Sequence, residues 1–403
     1  MYLLITLLVI TAAIILFIAA VLLDIYCGIR FKKASARERT LSTGFNDLHY
    51  YTNGHELFEA MKESIQGARH HIHISFFIFV ADEVGNEWLS LLKKKAEEGI
   101  EVRLLVDTLS SWALRKKGPE LAQSGLQLAF SGKPTFPFIF YSLNRRNHRK
   151  IMVIDGSVGY FGGFNVSLDY IGRNPGMGPW HDNHLRVEGE STHTLQHLFL
   201  EDWKKATAVD LLHDATYFPK TAKGTAALSL IGTDGKQLED LFADYLGSAR
   251  TSIVIASPYF VPSKKLMAAL IDRLDHGVTL TIVLPMKKDH PLVKPASYHY
   301  LEPLLKKGAK LFHFYQGFYH AKLFVIDHSR CYLGTANFDQ RSLFWNDELS
   351  GFCDDTALAH RVLELLHKEI RNQSVAVPYA QIRKRSLYEK GKTLCSTWLS
   401  YFL

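Results

Sequence analysis

The sequence predicts an α/β protein made of two pseudo-symmetric halves behind one membrane-crossing helix, and three observations carry this. A motif-bearing segment occurs twice, apolar strand-like runs alternate with amphipathic stretches in the same order around each copy, and residues 1–23 hold no charged side chain. At 403 residues the chain is too long for one ordinary core, which suits two halves.

In chain order, residues 1–24 are almost wholly Leu, Ile, Val and Ala and predict the transmembrane helix. A cleaved signal peptide is the alternative, but the run is long and lacks a basic leader and an A-x-A site. Residues 25–42 form a basic juxtamembrane linker with Arg30, Lys32, Lys33, Arg37 and Arg39, which by the positive-inside bias leaves the catalytic part cytoplasmic. The first half spans 43–215 and the second 216–403, with 221–228 in the connection. "ARHHIHISFFIFV" from Ala68 matches "ARTSIVIASPYFV" from Ala249, and later strands "GIEVRLLVD" and "GLQLAF" match "GVTLTIVLP" and "GAKLFHF". Strands alternating with helices at this spacing imply a mixed or largely parallel sheet flanked by helices in each half.

A net charge of +7 and a pI near 9.0 favour anionic partners: nucleic acid, a phospholipid surface or a phosphorylated small molecule. The four cysteines are far apart and form no C-x-x-C pair, so neither a zinc site nor a disulfide framework is expected, and Cys27 is read as a plain thiol before a lipidation site.

The duplicated segments are "NHRKIMVIDGSVGYFGGFN" from Asn147 and "YHAKLFVIDHSRCYLGTAN" from Tyr319. His148 pairs with His320, Lys150 with Lys322, Asp155 with Asp327, Gly162 with Gly334 and Asn165 with Asn337, each at the same interval (320 − 148 = 172). One H-x-K-x-x-x-x-D is a weak signal; two with the same trailing Gly and Asn are strong. If residues 148–154 form a strand, the His and Lys share a face, while Asp155 has the opposite parity and an orienting or structural role. An imidazole and an ammonium one pleat apart can grip a phosphate. Gly162, Gly163 and Gly334 permit close backbone approach, and the Asn165 and Asn337 amides can donate to phosphoryl oxygens. Two core histidines in duplicated strands would leave the repeated cations without a reason.

These motifs, with "GTANFDQRS" and the ending "LSYFL", resemble the phospholipase D superfamily, and the whole chain is similar to bacterial cardiolipin synthases of the minor, single-span type. The resemblance implies two phospholipase D-like halves with the active site at their interface. It also implies a catalytic set of His148, Lys150, Asp155, His320, Lys322 and Asp327, with phosphate support from Asn165, Asn337, Gly163 and Gly334. The implied reaction moves a phosphatidyl group from one phosphatidylglycerol to another through a phosphohistidine, with His148 as nucleophile and His320 as acid/base. No cofactor or metal is expected, because the cations already neutralise phosphoryl charge; the partners are phosphatidylglycerol, other anionic phospholipids and the bacterial cell membrane, without nucleic acid. Gly163 and Phe164 stand where many relatives carry Ser and another small residue, which leaves open which half tightens the phosphate.

Water could attack the same intermediate, so a phosphodiesterase acting on phospholipid or nucleic acid is the alternative, and a non-catalytic lipid-binding scaffold is a third. The membrane anchor and the aromatic, basic run "FPFIFYSLNRRNHRK" favour the lipid acceptor, with Arg145 and Arg146 placed near anionic lipid. His71 and His73, and the pair in "HDNH" at His181 and His184, lack a third ligand at metal-site spacing and read as polar packing. Asp182 and Glu348 each follow a motif and are candidates to orient a histidine. The C-terminal "TWLSYFL" suits either an interface or a tail packed on the body.

Overall fold

The computed structural model describes residues 1–35, 38–398 and 400–402; Arg37 of the basic segment and Leu399 and Leu403 of the terminal run lie outside them. Strands Ser42–Asn53 and Ala226–Asp234 pair antiparallel at the middle of one large sheet, and the same strand order unrolls to either side. Outward from Ser42–Asn53 come Trp180–Gly189, Val158–Gly162, Ile151–Ile154, His71–Phe76, Glu101–Asp107 and Gln127–Ser131. Outward from Ala226–Asp234 come Asp347–Cys353, Arg330–Gly334, Leu323–Ile326, Ser252–Ala256, Thr279–Pro285 and Lys310–Phe314, with the short Ser374–Ala376 added at that edge. Two halves therefore share one sheet about a pseudo-two-fold axis at the central pair.

The sheet is mixed rather than largely parallel. In each half the three outer strands are parallel, as βαβ crossovers require, and the motif strand joins them antiparallel as the first arm of a hairpin. Alternation along the strands fills two cores in the first half: Ile72, Ile74 and Phe76 face helices Gly54–Gln66 and Glu83–Glu97, while Ile151 and Val153 face helix Ser191–Thr207. Helices Leu238–Gly247 and Lys264–Asp275 cover the corresponding face of the second half. Leu195 and Phe199 of Ser191–Thr207, with Val362 and Leu366 of helix Thr356–Gln373, lie in the same core as Ile151 and Val153, which is thus common to both halves.

Helix Tyr2–Ser35 is long and apolar enough to cross a membrane, and its most apolar stretch is not buried against the body. The predicted linker at 25–42 is corrected: the helix continues to Ser35, and its second part docks on the body. Ile25 packs with Tyr141 and Trp345, Gly28 lies so close to the Tyr141 ring that a Cβ there would overlap it, and Asp24 accepts from the Tyr141 amide at 2.9 Å. Lys32 pairs with Asp234 at 2.8 Å and Arg39 with Glu201 at 2.7 Å, so these basic residues are used by the protein itself. These contacts, which a charge count does not register, tie Ile25, Lys32 and Arg39 to the body.

Candidate active site

The two motifs meet at the seam between the halves, but not on the strand predicted for them. The ladder begins at Ile151 in the first copy and at Leu323 in the second, so each H-x-K lies just before it. The reason is a crossing of the chain from half to half: the His148 amide donates to the Asp347 carbonyl at 2.9 Å and the His320 amide to the His181 carbonyl at 2.7 Å. Each histidine is thereby laid against the inner strand of the opposite half.

That exchange carries through to the side chains. His148 Nδ1 lies 3.0 and 3.1 Å from the Glu348 carboxylate oxygens, and His320 Nδ1 lies 2.6 Å from Asp182 Oδ2. A carboxylate beside Nδ1 accepts a hydrogen bond from it, which keeps the proton on Nδ1 and leaves Nε2 with the lone pair. The sequence marked both acids but placed each after its own motif; the fold swaps them. Phe77 meets the His148 ring edge-on at 5.0 Å and Trp180 lies 5.0 Å from His320, which fixes both ring planes.

Both imidazoles are 8–9% exposed and both lysines are buried. Lys150 Nζ donates to the His148 carbonyl at 2.7 Å, and Lys322 Nζ donates to the His320 carbonyl and to Asp182 at 3.3 Å. Burial lowers all four pKa values, taking Lys150 to about 7 and His320, which also faces the Lys322 ammonium, to about 4. For Asp182, burial pushes upward, but Lys322 and His320 outweigh it and hold the carboxyl at about 2. Glu348 is likewise held down, against its burial, chiefly by His148. The result is a buried cluster of two imidazoles, two lysines and two carboxylates, a set of groups suited to an anionic phosphodiester.

The remaining candidates separate. Asp155 accepts from the backbone amides of Arg69, His70 and His71, and Asp327 from those of Arg250, Thr251 and Ser252. Both sit at φ near +50° in the hairpin turn and pin the start of the neighbouring strand. The structure places both carboxylates on the backbone at the far end of the motif strand, as the opposite parity of Asp155 implied, and not beside the histidines. Asn165 does not present a free amide either; its Nδ2 donates to Tyr170 Oη at 2.9 Å and its Oδ1 accepts from the Ile78 amide at 2.9 Å. Among the described residues Asn337 Oδ1 is buried without a hydrogen-bond partner, unlike the Asn165 oxygen. Gly163 lies against Asp182, where a Cβ would overlap the carboxylate, and Gly334 packs on the Tyr332 hydroxyl.

Arg145 and Arg146, expected near lipid, are instead turned inward: Arg145 pairs with Asp347 and Arg146 with Asp107. His71 and His73 join through Gln196, with contacts of 3.3 and 2.7 Å, and Arg103 lies 2.9 Å from His73, so they form a polar network beneath helix Ser191–Thr207. Three contributors escaped sequence reasoning. Thr335 donates to Glu348 at 2.5 Å, Asn183 Oδ1 accepts from the Lys322 amide at 2.6 Å, and Arg149 ties Asp202 to the Glu348 and Thr233 carbonyls. Arg149 alone carried a signal, as a charge at a core-facing position between His148 and Lys150.

Residues 61–203 and 242–370 match the family described as cardiolipin synthase, PLD-like domain. The chain is 37% identical to the minor cardiolipin synthase ClsB of Bacillus subtilis, over 98% of this chain and 99% of that one. It is 38% identical to a cardiolipin synthase of Staphylococcus aureus over 89% and 74% of the respective chains. Among solved structures, the phosphatidylserine synthase of Haemophilus influenzae shares the fold with a TM-score of 0.71 at 14% identity, covering 90% of this chain and 98% of that one. The chain belongs to the cardiolipin synthase family of phospholipase D-like proteins.

Proposed function

We propose that the protein is a membrane-anchored phosphatidyltransferase that makes cardiolipin from two molecules of phosphatidylglycerol. The observation that carries this reading is the crosswise pairing, in which each motif histidine is held by a carboxylate of the other half. His148 Nε2 attacks the phosphorus of the first lipid, the bond to glycerol breaks, and His320 gives its proton to the departing alkoxide. A hydroxyl of the second phosphatidylglycerol then gives its proton back to His320 and attacks phosphorus, breaking the P–N bond and releasing cardiolipin. Lys150 and Lys322 balance the non-bridging oxygens. His320 is assigned the acid/base role because Asp182, at 2.6 Å and strongly ionised, is the closer partner for an imidazolium. The negative charge of a bound phosphodiester raises the histidine pKa values, which lets His320 carry the proton it gives.

The apolar N-terminal helix supports a single span that keeps the site at the membrane, where the lipid acceptor is concentrated, and the basic residues after it favour a cytoplasmic body. The test is to incubate the purified protein with phosphatidylglycerol vesicles and follow cardiolipin, glycerol and phosphatidic acid. Equal cardiolipin and glycerol are expected; phosphatidic acid alone would make the protein a hydrolase, and no turnover would make it a lipid-binding scaffold.

A further inference from the structure

Helix Leu387–Trp398 is built inside out. Its small polar residues Thr393 and Ser396 are buried where it packs on helix Val293–Lys306, while Leu387, Tyr388, Leu394 and Trp398 are 88, 80, 64 and 85% exposed. At about 100° per residue these four, with the exposed Cys395, fall in one arc of roughly 120°, and Lys390 and Lys392 stand at its two edges. A helix of a water-soluble body turns its large apolar side chains to the core; one that turns them outward has another apolar medium to meet. The polar side is fixed in place: Arg385 stacks on Tyr298 at 4.4 Å and donates to Thr393 at 2.8 Å.

The position of the stripe says which medium. In the following turn, Tyr401 packs on Trp345 at 5.5 Å, within the cluster that holds Ile25, so the stripe lies beside the foot of the membrane-crossing helix. Over residues 383–398 there are five cations, Arg383, Lys384, Arg385, Lys390 and Lys392, against one carboxylate, Glu389. Lysines flanking an apolar arc can lay their stems along it and keep their ammonium groups at headgroup level.

We propose that Leu387–Trp398 is an in-plane membrane-surface helix that seats its apolar face in an anionic bilayer. With the N-terminal helix it grips the membrane at two points and sets the orientation of the catalytic body. The proposal rests on membrane anchoring of the chain, not on its transfer chemistry.

The full-length Cys27→Ser protein keeps Cys395 as its one exposed thiol among the described residues, since Cys331 and Cys353 are buried. A polarity-sensitive fluorophore is attached there and the protein is reconstituted in phosphatidylglycerol-containing vesicles. Expected are a blue-shifted emission and quenching by shallow spin-labelled lipid about twofold or more above that by aqueous iodide. Iodide quenching as strong in vesicles as in detergent, with no lipid quenching, overturns the proposal. Protection from both quenchers that disappears as protein is diluted in lipid also overturns it, because a second copy then covers the stripe. The probe reports position without turnover, so lipid quenching in a protein that makes no cardiolipin would count against the proposed reaction and leave this inference standing.

Discussion

The two copies of the motif are alike in sequence and unlike in their surroundings. His320 meets an aspartate at 2.6 Å that Lys322 also touches, and Gly163 leaves room for that carboxylate. His148 meets a longer glutamate at 3.0 Å whose second hold is the Thr335 hydroxyl, and Lys150 has only the His148 carbonyl as a hydrogen-bond partner among the described residues, beside the Phe77 ring at 5.4 Å. Where the second half spends a side chain on fixing its own carboxylate, the first omits the side chain and lets a shorter acid approach. Pseudo-symmetry thus supplies two imidazoles in unlike surroundings, the basis of the different roles proposed for them.

The largest expected effect distinguishes the histidines. His148→Asn and His320→Asn should each lower turnover by at least about 10³-fold, but only His320→Asn should retain a phosphorus label on the protein after brief exposure to labelled phosphatidylglycerol. A label on His148→Asn instead would reverse the assignment. Next, Gly163→Thr makes the first copy resemble the second and drives a side chain into Asp182; activity should fall by about 10³-fold or the protein should fail to fold, whereas Thr335→Gly should cost about tenfold. Equal losses would mean that the difference between the copies is incidental. Asp182→Asn should lower kcat by about 10²-fold or more and Glu348→Gln by roughly tenfold less, because Asp182 serves both His320 and Lys322.

The pH profile sharpens the contrast between the lysines. Lys150, brought down to about 7 by burial, is charged only below that value, so kcat/KM should decline as pH rises through about 7, and Lys150→Arg should move that limb upward. On the acid side the nucleophile is lost by protonation: burial holds His148 below the ordinary imidazole value, so activity should fall only as pH drops beneath that range. The smallest effect is expected at the two motif aspartates. Asp155→Asn and Asp327→Asn keep a residue that tolerates positive φ but weaken the hold on backbone amides, which should cost about 1–2 kcal/mol of stability, read as a lower Tm, with kcat within about threefold of the parent.

Much of the molecule was legible because duplication is a sequence property. The repeat interval identified the halves, the two H-x-K sets and the turn residues that follow them, and the uncharged N-terminal run identified the helix that can cross a membrane. Strand alternation also put Asp155 off the face of Lys150. It failed at His148 itself, since alternation presumes a ladder, and there the chain is paired with the other half instead. It misplaced Arg145 and Arg146 because a basic run looks the same whether its charges meet lipid or buried Asp347 and Asp107.

The sequence by itself determined the duplicated α/β plan, the chemical groups available to a phosphate, and the apolar span. Only the tertiary structure decided that His148 is served by Glu348, 200 residues away, and His320 by Asp182, 138 residues away. It alone extended the first helix onto the body and turned the apolar face of the last one outward. Periodicity records which side of an element a residue occupies. Which element that side will face is set by the packing of whole halves about their shared axis, a cooperative outcome that no local window contains.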